Sequence, residues 1–360
     1  MPGSENSIAV WRRELIEFLL PGMQKIISFI CSETKKLPNG EVLAIPQSES
    51  APHYYSSSVP RQTLLDKEEH VVRGKKVMFE IKAYHPDVIL VEGQVEVEDI
   101  FSKEAFETRE NLIDQCHAII KRRGGKFEMS EEYSIGIVRN YEGDPEQFFK
   151  YSREMAGFLK SERMELDEKE VEYTLSAQMK YANNDLVIVD WDGAFVFDPN
   201  GEYESIVELL QIANLQLLRY RMLDGDLDRR LREVGRVVRE QVGKMTIFQN
   251  KEVEQAFRGV IMIRSRSIAE FEAIDREIKL IGDWYSARLY ELVAKKMRFD
   301  AWKTAIKEKL DSLEDVYSIV SENFSMSRLH YLEFIQIILF FVLQVGWMVL
   351  IVLEFIYYTK

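Results

Sequence analysis

The sequence predicts an α+β (mixed α/β) soluble head, long coiled-coil-like helices and one C-terminal transmembrane helix. Three observations carry that reading. No charge falls between Glu333 and Glu354, no proline follows Pro199, and β-rich runs alternate with helical ones from Lys75 to Phe197. The implied boundaries are 1–31 for an amphipathic N-terminal helix, 32–74 for a Pro/Ser-rich linker or arm, and 75–200 for the head. A helical stalk or bundle then takes 201–330, and the membrane anchor 331–360.

At 360 residues the chain is long enough for two domains and a sizeable core. A charged fraction of 30% and a mean hydropathy of −0.22 describe a soluble protein with one greasy segment, not a polytopic transporter. The net charge of −13 argues against general nucleic-acid binding, because phosphate contacts need a positive surface. Two cysteines, Cys31 and Cys116, make no disulfide framework and suit a reducing compartment. The five histidines do not cluster at ligand spacing, so neither a metal nor a cofactor is expected.

In chain order, Ile8 to Cys31 reads as an amphipathic helix with Trp11, Leu15, Phe18 and Leu19 on one face, broken near Pro21. Its apolar face suits the protein's own core or a membrane surface. Pro38, Pro46, Pro52 and Pro60 punctuate the following arm. Val77–Tyr84 and Val88–Val97 form a predicted hairpin about His85-Pro86-Asp87, and a helix follows from Lys103 to Arg123. Tyr133–Tyr141 is the next strand, and Asp144-Pro145 opens a helix to about Leu159. Val171–Tyr181, Asp185–Asp190 and Ala194–Phe197 are read as strands.

Proline-free sequence after Pro199 favours long helices, since an interior proline costs about 3 kcal/mol. Ile206, Leu210, Ala213, Leu217, Tyr220, Leu227, Leu231, Val234 and Val238 step by threes and fours around one skipped turn. Trp302, Ile306, Leu310, Leu313, Tyr317, Val320 and Phe324 continue the same step from Phe299. Both are seams of the coiled-coil kind. The second leads into Phe334–Leu353, about twenty residues that at 1.5 Å each cross roughly 30 Å of hydrocarbon. Gln336 and Gln344 lie about 80° apart around that helix, and with Gly346 they point to helix–helix association.

Leu186-Val-Ile-Val-Asp190-Trp-Asp192-Gly193 resembles the first motif of haloacid-dehalogenase-type phosphatases, which would give Asp190 and Asp192 nucleophilic and acid/base roles with Mg²⁺. The Thr expected after the Gly is Ala194, and another strand follows at once, so Asp192-Gly193 reads as a hairpin turn and no catalytic residue is assigned.

Asp283-Trp-Tyr-Ser-Ala-Arg-Leu-Tyr, Lys307-Glu-Lys-Leu, Leu313-Glu-Asp-Val-Tyr317 and Leu332-Glu-Phe-Ile-Gln-Ile-Ile resemble the C-terminal part of the Required-for-meiotic-nuclear-division family. The resemblance implies a membrane protein with an α/β head and a C-terminal anchor, at a cytoplasmic or mitochondrial inner membrane. The layout also resembles magnesium channels of the CorA type, whose Gly-Met-Asn loop and second membrane helix have no counterpart here.

The functional expectation is a non-enzymatic, tail-anchored, homo-oligomeric scaffold or tether with its head in the cytoplasm. Its partners would be the bilayer, itself and an unidentified protein. An oligomeric channel is the alternative, and a Mg-dependent phosphatase a remote one.

Overall fold

The computed structural model describes residues 24–34, 37, 41–42, 62–242, 262, 265, 268–269 and 284–358. The chain divides into two compact units, one of residues 1–222 with 272–304, the other of residues 223–271 with 305–360.

The first unit is built on a mixed sheet. Its nine strands among the described residues are β1 (Gln24–Thr34), β2 (Glu41–Val42), β3 (Gln62–Val72), β4 (Lys75–Tyr84), β5 (Val88–Val97), β6 (Gly125–Val138), β7 (Gln178–Met179), β8 (Leu186–Val189) and β9 (Gly193–Phe197). They lie in the order β2-β3-β4-β5-β1-β6-β9-β8-β7. Every pairing is antiparallel except β6 with β9.

The central strand β1 was read as the end of an amphipathic helix, and Gln24–Thr34 corrects that reading. Its residues Ile26 to Cys31 are buried without interruption, because both faces of the sheet are covered. A strand buried on both sides reads as a near-continuous apolar run without alternation, and periodicity alone cannot tell it from a buried helix. Trp11, Leu15, Phe18 and Leu19 lie outside the described residues. The predicted linker is corrected as well, since its last part forms β3.

One face of the sheet carries α1 (Lys103–Arg122) and α2 (Ser152–Leu159). Ser102 caps α1 by accepting from the Ala105 N–H at 3.1 Å. Gly124 ends it with φ of +84°, a conformation glycine reaches without strain. Leu112, Cys116, Ile119 and Ile120 of α1 are buried in one core with Ile26, Phe79, Val91 and Phe195. Asp144 caps a 3-10 turn, Pro145–Tyr151, that leads into α2.

The expected strand from Val171 to Tyr181 is instead α3 (Glu168–Leu175) followed by the two-residue β7. Val171, Tyr173 and Leu175 mimic a period of two, but Asp167 caps the segment by accepting from the Lys169 N–H at 3.0 Å. Glu168 and Glu170 in the first turn further favour the helix.

The other face is covered by the first half of α4 (Glu204–Val242), where Ile206, Leu210, Ala213, Leu217 and Tyr220 are all buried. The stripe read as a coiled-coil seam therefore belongs here to the core of the head. Helix α5 (Trp284–Lys296) buries Leu289, Tyr290 and Val293 in the same unit and touches β7 and β8.

In the second unit, Leu227 of α4 and Ile306, Leu310 and Leu313 of α6 (Phe299–Tyr358) are buried. Lys309 reaches Asp224 at 2.6 Å and Asp228 at 2.7 Å. Leu231 is half-buried, as is Trp302 in the first unit, and the side chains of Val234, Val238, Tyr317, Val320 and Phe324 lie outside the described residues.

Phe195 is fully buried, with Phe101, Phe158 and Phe197 rings centred 4.9–5.9 Å away. Phe195→Ala should therefore lower unfolding stability by about 3–5 kcal/mol. Denaturant melts of the detergent-solubilised chain read this as a lower midpoint.

Candidate functional site

The Asp190-Trp191-Asp192-Gly193 stretch joins β8 to its antiparallel neighbour β9. The Asp190 N–H donates to the Gly193 carbonyl at 2.8 Å, closing a two-residue loop of Trp191 and Asp192. The Tyr133 hydroxyl donates to both the Gly193 and Asp190 carbonyls, at 2.8 and 3.1 Å. A Cβ at position 193 would sit 2.8 Å from the Ser134 carbonyl, so only glycine lets β6 and β9 come this close. The turn expected from the sequence is the geometry observed.

The Asp190 side chain is 6% exposed. Its Oδ1 accepts from the Trp191 N–H at 2.9 Å and lies 3.3 Å from Lys296 Nζ of α5. Its Oδ2 lies 3.8 Å from Lys160 Nζ, beyond a hydrogen bond, and has no hydrogen-bond partner. Burial works against the Lys160 charge, but Glu170 at 2.7 Å and Asp190 outweigh it and raise its pKa. Lys296 also stands 4.4 Å above the Tyr173 ring centre. Two ammonium groups thus neutralise Asp190 and tie α5 and the end of α2 to the turn. A carboxylate so covered and paired is poorly placed to attack phosphorus.

Asp192 behaves differently. Burial raises its carboxyl to about 6, against the opposing pull of Arg109, while Glu132 and Asp190 add to the rise. Arg109 is itself 3% exposed and lies 5.2 Å from the Phe158 ring centre. Its guanidinium donates to the Ser161 hydroxyl, and its Nε finds no acceptor. His117 pairs with Glu132 at 3.0 Å on the same side. No group of three His, Cys, Asp or Glu among the described residues is arranged to hold a metal ion.

A second polar cluster, which sequence reasoning missed, sits between the sheet and α4. Lys82 Nζ donates to the buried Glu92 carboxylate at 2.9 Å, and Gln211 Nε2 donates to it at 2.6 Å. Gln62 Nε2 donates to Glu208 at 3.0 Å, and burial raises the Glu208 carboxyl to about 7. The available signal was Glu92 itself, a lone charge after Val88-Ile-Leu-Val91. Such a residue in a central strand requires a buried partner.

The last candidate is the end of α6. Leu332–Tyr358 spans 27 residues, its most apolar stretch of 18 residues has a mean hydropathy of 2.5, and none of that stretch is buried. It is one helix long and apolar enough to cross a membrane. Gln336 and Gln344 fall within about 80° of each other, and Gly346 stands about 80° from Gln336 on its other side and about 160° from Gln344.

Fold and sites together define an α+β head, its mixed sheet covered on both faces, in a chain that carries one candidate membrane helix among the described residues. Residues 41–204, from β2 to the start of α4, match the family described as "Uncharacterized protein MJ0711, N-terminal domain". The chain is similar to Uncharacterized protein MJ0711 of Methanocaldococcus jannaschii, 25% identical over 288 residues, 79% of this chain and 83% of the relative. No solved structure matches. These matches overturn the resemblance to the Required-for-meiotic-nuclear-division family, whose quoted motifs are packing and anchoring residues that many helices share.

Asp192 also sets a pH dependence. Its folded-state pKa of about 6 exceeds the ordinary 3.8, so the folded state binds more protons between those values. Stability then falls as pH rises through that window. Asp192→Asn should melt higher than the unmodified chain at pH 7 and lose that advantage at pH 4, measured by thermal melts at both.

Proposed function

We propose that this chain is a non-enzymatic, membrane-anchored scaffold, its head held in the cytoplasm at the cell membrane by the end of α6. The carrying observation is the exposed apolar helix Leu332–Tyr358. Each Leu, Ile, Phe or Val near the centre of such a helix favours insertion by about 0.3–0.6 kcal/mol. In water the same side chains would form an exposed apolar surface that soluble proteins avoid.

The head's chemistry supports a scaffold over an enzyme. Asp190 is neutralised by Lys160 and Lys296, and Glu92 by Lys82, so these buried charges hold elements together. A cytoplasmic head suits Cys31 and Cys116, both buried free thiols. Self-association through the membrane helix completes the reading, since Gln336 and Gln344 lack partners in hydrocarbon unless another helix supplies them.

Deleting residues 332–358 tests the anchor. The full chain should stay with membranes through an alkaline wash, and the deletion variant should fractionate as a soluble protein. A deletion variant that still resists the wash would place the anchor elsewhere in the chain.

A further inference from the structure

The membrane helix is not apolar all round. Taking 100° per residue along the unbroken α6, Gln336 and Glu354 fall on the same line, Glu333 about 60° from it and Gln344 about 80°. The Glu and Gln residues of the span thus share one sector of about 80°. Phe340, Trp347, Ile351 and Tyr358 fill the same sector. Glu333, Phe340, Trp347 and Glu354 recur every seven residues, the spacing that keeps one seam facing a partner helix. The opposite side of the helix carries Val342, Val349 and Leu353, and Gly346 lies outside the stripe.

We infer that this stripe is the contact surface for a second copy of the same helix, packed in parallel. The inference rests on the membrane reading above and names the face it uses. An amide carries a donor and an acceptor together, so two identical glutamines satisfy each other. A parallel twofold pair sets each residue of the stripe against its own counterpart, Gln344 opposite Gln344 near the middle of the span. An apolar partner helix would leave both amides unsatisfied in hydrocarbon. The span end places Glu354 and Tyr358 near the headgroups, where water reaches the carboxylates and a like-charge pair is screened. A stripe of Gln, Trp and Phe is thus complementary to itself.

Cysteine cross-linking of the full chain in vesicles of phosphatidylethanolamine and phosphatidylglycerol tests this. Cys31 and Cys116 stay in place, because both are buried. Phe340→Cys and Ile351→Cys should form disulfide dimers on mild oxidation, whereas Val342→Cys and Val349→Cys should remain monomeric. Gln344→Leu in the Phe340→Cys background should lower the association constant about 3- to 20-fold, the range for one interhelical amide contact. Each sample is also washed at alkaline pH. Release from the vesicles overturns the membrane reading and the stripe with it. Retention with no cross-linking, or with equal cross-linking on both faces, overturns the stripe and leaves the anchor standing.

Discussion

Both faces of the sheet must be kept from water, because β1 is buried along almost its whole length, with Ile26, Ile27, Phe29, Ile30 and Cys31 at its centre, and is bordered on each side by buried strands. Much of the head follows from that constraint. Helices α1 and α2 close one side over Phe79 and Phe195, and the other falls to the first half of α4. That half brings Glu208, Gln211 and Arg219 into the interior with its leucines. The sheet answers with Lys82, Glu92, Gln62 and the His85 carbonyl. A buried ion pair of this kind adds little net stability, but losing one partner costs about 3–5 kcal/mol. Its effect is therefore to specify where on the sheet α4 sits.

Legibility in the sequence followed the same division. The hairpin β4–β5, the helix α1 and the turn at Asp192-Gly193 each carried local signals, namely alternation, a Ser cap with a Gly stop, and a tight loop between two apolar runs. β1 had no local signal, because two-sided burial removes the alternation that marks a strand. α3 was misread through a chance period of two in Val171, Tyr173 and Leu175, when the Asp167 cap was the stronger evidence. The stripe Ile206–Tyr220 was found at the right spacing but given the wrong partner. A seven-residue apolar repeat shows that a face is buried and leaves open whether a helix or a sheet buries it.

The candidate sites were legible to different depths. Asp190 and Asp192 stood out at once, yet the lysines that neutralise Asp190 come from Lys160 and Lys296, far along the chain in sequence. Long-range ion pairs leave no pattern in a single sequence. The run Phe334–Leu353 was visible from composition alone, whereas the shared sector of Glu333, Gln336, Gln344 and Glu354 needed an unbroken helix to fix the angles.

One rule about polar groups away from water governs both parts of the molecule. In the head, Glu92 is enclosed and finds Lys82 and Gln211 within its own chain. Gln336 and Gln344 sit in a span with none of its residues buried. Neither glutamine improves anchoring, since the surrounding Ile, Leu, Phe and Val already favour the bilayer and an amide in hydrocarbon opposes it. A residue that weakens insertion and gathers on one side of the helix is best understood through what it contacts there. Amide pairing of this kind is worth about 0.5–2 kcal/mol, enough to select a face and a register but too little to hold a pair together alone. The aromatic side chains on the stripe must then supply the packing, and Trp347, one turn beyond Gln344, is the largest of them.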